Sequence, residues 1–189
     1  MDNIKKVKAL SIWIFIVPFV AVNTCLILIT QFHDLFPNKE NIILPTLPYV
    51  DGGASISRTA RYFPTYLIFK PAMFLTAYFL IKYWIYNKQI ILSIHGNHKY
   101  VKKMLFFGIG SAICLVIHSI FLGVKFDIDA YKLFRRVIML AFIIFEIAAQ
   151  TYFVLIFYSI KSKLKSFINE TYLKCKAILV SILVFVGIL

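Results

Sequence analysis

The stretch LFRRVIMLAFIIFEIAAQTYFVLIFY, Leu133–Tyr158, decides how this chain is to be read. It is apolar for longer than the roughly 20 residues a helix needs to cross a bilayer. Within it only Arg135, Arg136 and Glu146 carry charge. Working outward, Ala9–Gln31, Tyr62–Tyr86 and Met104–Val124 reach the same length, while a fifth apolar run, Ala177–Leu189, is shorter. Hydrophobic residues make up 61% of the chain and the mean hydropathy is +0.83. Soluble domains hold about 45–50% apolar residues. The expected fold is therefore all-α: a polytopic transmembrane helical bundle with four full spans and a short or truncated fifth, forming a single membrane domain over residues 1–189. At 1.5 Å per residue the fifth run covers about 20 Å of a hydrocarbon layer about 30 Å thick. Either that helix stops partway across, or the natural chain continues.

A net charge of +13 in 189 residues would suggest a nucleic-acid partner for a soluble protein. Here most cations flank apolar runs, where they anchor helices to headgroups. No aromatic and basic platform lies outside the spans, so nucleic acid is not an expected partner. With a cytoplasmic N-terminus, the inner segments hold twelve Lys and Arg residues against seven on the outer side, which favours a multi-pass, N-in arrangement. The apolar run after Lys5, Lys6 and Lys8 is too long for a cleaved signal and reads as a retained anchor. Cys25 and Cys114 lie inside spans and Cys175 beside one, so no disulfide framework is implied.

The outer connection over residues 32–61 contains Pro37, Pro45, Pro48 and Asp51-Gly52-Gly53, which predicts a turn-rich path. Its Ile42, Ile43, Leu44, Leu47 and Tyr49 offer enough apolar surface for an ordered cap over the bundle. Residues 159–176 place Ile160, Leu164, Phe167, Ile168 and Thr171 at helical spacing among lysines. Two readings stand for them: a basic amphipathic helix on an anionic leaflet, or a linker with stop-transfer lysines.

Glu146 is the most informative residue. An ionisable group at mid-bilayer costs at least about 2.5–3.5 kcal/mol, so it should face a partner or an aqueous cavity. Gln150, four residues on, shares its helical face. Glu146 reads either as a proton-accepting or ligand-orienting carboxyl, or as an inter-helix hydrogen-bonding group. Lys70, beside Pro71 in the second run, is a candidate partner that can instead snorkel outward. His118, with Arg135, Arg136 and Lys70 at comparable depth, could line an outward pocket for an anionic headgroup. Gly108, Ser111 and Ala112 form a small-residue face suited to close helix packing. His95-x-x-His98 is a weak metal pattern without Cys or carboxylate neighbours and reads as a solvated loop. No metal site or cofactor is expected. The chain has no G-x-S-x-G, H-E-x-x-H, P-loop or Rossmann glycine pattern.

The segment Leu47-Pro48-Tyr49-Val50-Asp51-Gly52-Gly53-Ala54, leading to Phe63-Pro64 and the second run, resembles the corresponding loop of the Frag1/DRAM/Sfk1 family. That family comprises six-helix membrane proteins connected with lipid remodelling and membrane organisation, with a Pro-Tyr-Ile-Ser-like segment followed by Gly. This chain departs from it in carrying Asp51 where Ser is common and in having five apolar runs. The resemblance implies a membrane protein acting on lipid organisation, and it transfers no catalytic residue.

The leading expectation is a non-enzymatic integral membrane protein that binds or organises membrane lipids, anionic ones included, through the outer loop and an intramembrane polar pocket. The alternatives are a small accessory subunit packing against other membrane subunits, and a proton-coupled transporter or intramembrane lipid-modifying enzyme using Glu146.

Overall fold

The computed structural model describes residues 2–39, 43, 55–124, 128–164 and 169–188, and every regular element among them is helical. Five long helices follow one another: α1 (Asp2–Gln31), α2 (Thr65–His95), α3 (Val101–Phe121), α4 (Asp129–Ser159) and α5 (Glu170–Ile188). Single helical turns stand at His33–Leu35, Ile56–Thr59 and Lys161–Leu164. Each long helix packs chiefly on the next, α1 on α2, α2 on α3, α3 on α4 and α4 on α5. Neighbours α1 and α2 run antiparallel. Cys25 of α1 reaches the Thr65 carbonyl at 3.3 Å, while Asn3 at the other end of α1 bonds Gln89 at 3.0 Å.

Three helices, α1, α3 and α4, are long and apolar enough to cross a membrane. The expectation of four full spans is corrected at α2. Its 31 residues are long enough, but Lys70, Lys82 and Lys88 interrupt its apolar surface. Its apolar face is spent on protein contacts instead, with Phe69, Met73, Leu80, Trp84 and Ile91 all buried. The fifth element is also longer than its apolar run, because α5 begins at Glu170 and takes Lys174 and Lys176 into its first turns. At 1.5 Å per residue it extends about 28 Å. Residues 159–176 are accordingly not one amphipathic helix. α4 ends at Ser159, its C-cap Ile160 is buried, a single turn follows, and α5 starts at Glu170. Phe167 and Ile168 lie outside the described residues.

The outward faces of α1, α3, α4 and α5 are apolar. Phe15, Phe106 and Phe185 are exposed to 66%, 67% and 66%. Runs of such side chains on successive helices exceed the scattered apolar exposure of a water-facing surface.

The core lies between α2, α3 and α4. Trp84 is fully buried, edge-on to Tyr83 at 5.2 Å and to Phe153 at 6.1 Å. Gly108 of α3 makes room for it, since a Cβ there would sit 2.5 Å from three ring carbons. The small-residue face expected on α3 is thus a seat for an indole, with Ser111 and Ala112 wholly buried beside it. Of the outer connection, Ile43 packs with Ile29 and Phe36 in a small separate cluster. The remaining residues of the expected cap, 40–42 and 44–54, lie outside the described residues, as does the segment Leu47–Ala54.

Candidate functional site

α1 and α4 make no extensive contact, although each packs firmly on its own neighbour. The row of helices therefore leaves a gap between its first and fourth members. In that gap lies a cavity of ≈ 1180 Å³. Typical small-molecule sites hold about 300–1,000 Å³, so this space suits a larger apolar guest.

The lining changes character along the helix axis. At one end stand Arg61, His118, Lys132, Arg135 and Arg136. Below them the wall is apolar, with Pro18 and Val22 from α1, Phe69 and Met73 from α2, Leu115 from α3, and Met139 and Phe142 from α4. Glu146 lines the cavity deepest along α4. Eleven residues separate Arg135 from Glu146, about 16 Å of helix.

Local geometry builds the cationic mouth. Gly123 has φ +88, a conformation open to glycine, and a Cβ there would lie 2.8 Å from the Arg61 carbonyl oxygen. This close approach draws the connection before α2 against the end of α3 and brings Arg61 to the cavity. The Tyr131 hydroxyl donates to the Phe121 carbonyl at 2.8 Å, holding the start of α4 to the end of α3. Arg135 lies 5.9 Å from the Tyr131 ring centroid.

The floor is a hydrogen-bonded carboxyl. Ser111 Oγ donates to Glu146 Oε2 at 2.8 Å, and Gln150 Nε2 donates to Oε1 at 2.8 Å. The buried Trp84 indole N–H lies beside the same group. Lys176 of α5 faces Glu146 electrostatically and sits 4.1 Å over the Phe153 ring. Glu146 thus ties α4 to α3 through Ser111, with the Lys176 charge of α5 nearby.

The candidates named from sequence separate into two groups. Glu146, His118, Arg135 and Arg136 share the cavity. Gln150 supports Glu146 from behind and does not line it. Lys70 does neither. Its Nζ donates to the Ile120 carbonyl at 3.3 Å and lies 5.6 Å from the Tyr66 ring, so it turns toward the helix end and away from Glu146. Sequence reasoning missed Arg61 and Lys176. Lys176 carried a signal, because it stands past Leu173 inside the helix that continues into the fifth apolar run. Arg61 carried none, because the Gly123 turn recruits it from a connection. Among the described residues no group of three or more His, Cys, Asp or Glu side chains is placed to hold a metal ion. No family model, curated protein or solved structure matches this chain.

Proposed function

We propose that this chain is an integral membrane protein that holds a lipid in the cavity between α1 and α4, binding it without transforming it. The observation that carries the reading is the cavity's polarity gradient: cations at the mouth, an apolar shaft, and one carboxyl at the floor. A headgroup and an apolar chain match that order, as small polar solutes do not. The space is not arranged for covalent chemistry. Ser111, the hydroxyl on Glu146, is wholly buried and also bonds the Gly108 carbonyl at 2.9 Å. The loop resemblance over Leu47–Ala54 points in the same direction.

Native mass spectrometry of protein purified in mild detergent tests the reading. Wild-type protein is expected to retain lipid. Met139→Trp, which fills the shaft, should release it while helix content is kept, and Lys70→Ala should leave it in place. Wild-type protein free of lipid, or Met139→Trp retaining as much as wild type, would overturn the proposal.

A further inference from the structure

The mouth of the cavity specifies the head of its ligand. Four cations and an imidazole meet there, and their balance is unequal. Lys132 pairs with Asp129 at 3.0 Å. Among the described residues, no carboxylate lies within ion-pairing distance of Arg61, Arg135 or Arg136. Arg61, Arg135 and His118 line this one space, and one side-chain nitrogen of each (Arg61 Nε, Arg135 Nε and His118 Nδ1) is buried and bonds no described residue. An arginine that merely anchors to headgroups keeps its donors in water. A buried donor on a cation without an acceptor is costly.

These groups come from three separate places in the chain: the connection before α2, the last turns of α3, and the second turn of α4. Polar groups brought to one space from several parts of the chain are matched by a tetrahedral oxyanion, whose oxygens point in several directions. A carboxylate has two oxygens in one plane and cannot meet all three. Guanidinium forks suit phosphate in both geometry and charge. With three guanidinium groups lacking a carboxylate partner among the described residues, a dianion balances the mouth better than a monoanion does.

We infer that Arg61, His118 and Arg135 form a phosphate site specific for a phosphate monoester. Arg136 supplies further positive charge. The inference rests on the lipid reading for one of its two sources, a lipid ending in a monoester phosphate whose chain fills the shaft. The other source of the same chemistry is free inorganic phosphate.

Delipidated full-length protein in detergent is titrated with phosphatidic acid, phosphatidylglycerol, phosphatidylcholine and inorganic phosphate, with binding read by native mass spectrometry and thermal shift. Phosphatidic acid should bind about tenfold tighter than phosphatidylglycerol, the scale of one hydrogen bond to a charged group. Arg61→Gln and Arg135→Gln should each lower that binding about tenfold. Lys102→Gln, exposed at the opposite end, should not change it. Equal binding of phosphatidic acid and phosphatidylglycerol overturns the monoester assignment. Retention of phosphatidylcholine with no anionic preference overturns the phosphate site and leaves the lipid reading standing. Protection by inorganic phosphate with no lipid bound sustains the phosphate site and removes the lipid reading. Undiminished phosphatidic acid binding by the Arg61→Gln/Arg135→Gln double variant overturns the residue assignment. The wild-type preference order decides the question even where a variant fails to fold.

Discussion

The two ends of this helix row carry the same sign of charge and use it differently. At the end where α1 and α5 begin, the lysines have company at the surface. Lys6 pairs with Asp2, Lys174 lies 3.5 Å and Lys161 3.9 Å from Glu170, and Lys163 meets the His95 imidazole at 3.4 Å. Those side chains are about half exposed or more where they pair with acids, and such pairs contribute about 1 kcal/mol at most. At the cavity end Arg61 and Arg135 are partly buried, Arg136 is exposed, and none of the three has a described carboxylate partner. A net charge of +13 therefore conceals two populations. One is a solvated rim rich in lysine, where Asp2 and Glu170 pair with a few of the charges. The other is a set of donors arranged around a space that an anion can fill.

The comparison breaks most readily at the cavity floor. Glu146→Ala should destabilise the protein by about 3 kcal/mol in detergent unfolding, because Gln150 loses its acceptor, Ser111 its bond across to α4, and Lys176 the opposite charge near it. Glu146→Gln keeps an acceptor oxygen and should cost less than half as much. Equal losses for the two variants would mean that charge, not hydrogen bonding, holds the floor together. Gly108→Ala comes next, at about 1–3 kcal/mol by overpacking, because its new methyl meets the immobile Trp84 ring rather than a flexible chain end. Thermal unfolding of the purified variant reads this, and a wild-type transition would show that α3 can shift away from α2.

The pattern of Leu133–Tyr158 exposed Glu146 because one acid interrupts an apolar run, and it exposed Gln150 by the helical repeat. It could not show which cation answers the acid. Lys70 and Lys176 are both lysines near a span end, and only the seating of α5 on α4 brings Lys176 to Glu146. The four-span expectation failed at α2 for a different reason. Its apolar run is long enough, but Lys70, Lys82 and Lys88 lower the hydropathy of the helix as a whole. For residues 159–176 the period left helix and linker both open, and the described residues break at Ile160, between the end of α4 and the single turn Lys161–Leu164. Ser159 folds its hydroxyl back onto the Ile156 carbonyl at 2.7 Å. Arg61 belongs to a turn, and turns carry no periodicity to read.

The rim sharpens the comparison with smaller effects. The Lys161→Gln/Lys174→Gln double variant should change stability by less than about 1 kcal/mol and leave lipid retention as it was. Raising salt from about 0.1 M to about 1 M shortens the screening length from about 10 Å to about 3 Å. It should weaken adhesion of the rim to anionic vesicles far more than it weakens binding at the partly buried mouth. Equal salt dependence at the two ends would place the mouth arginines in open water.

The smallest effect belongs to His98, in the connection between α2 and α3. Its Nδ1 accepts from the Tyr100 N–H at 3.3 Å, and its Nε2 lies 3.0 Å from Ser159 Oγ. Because Ser159 donates to Ile156, the imidazole must donate to Ser159, which fixes the neutral tautomer with hydrogen on Nε2. Partial burial, with His95 and Lys99 beside it, holds the His98 pKa below the ordinary imidazole value. The folded protein therefore takes up this proton less readily than the unfolded chain does. The contribution to stability is fully present above about pH 6.5 and is lost as pH falls from there toward the folded-state pKa. A proton on Nδ1 removes the acceptor for Tyr100 at the N-cap of α3. Amide exchange at Tyr100, corrected for its intrinsic pH dependence, should accelerate below about pH 6.5. In His98→Gln that acceleration should disappear, and its persistence there would assign the effect to His95 instead.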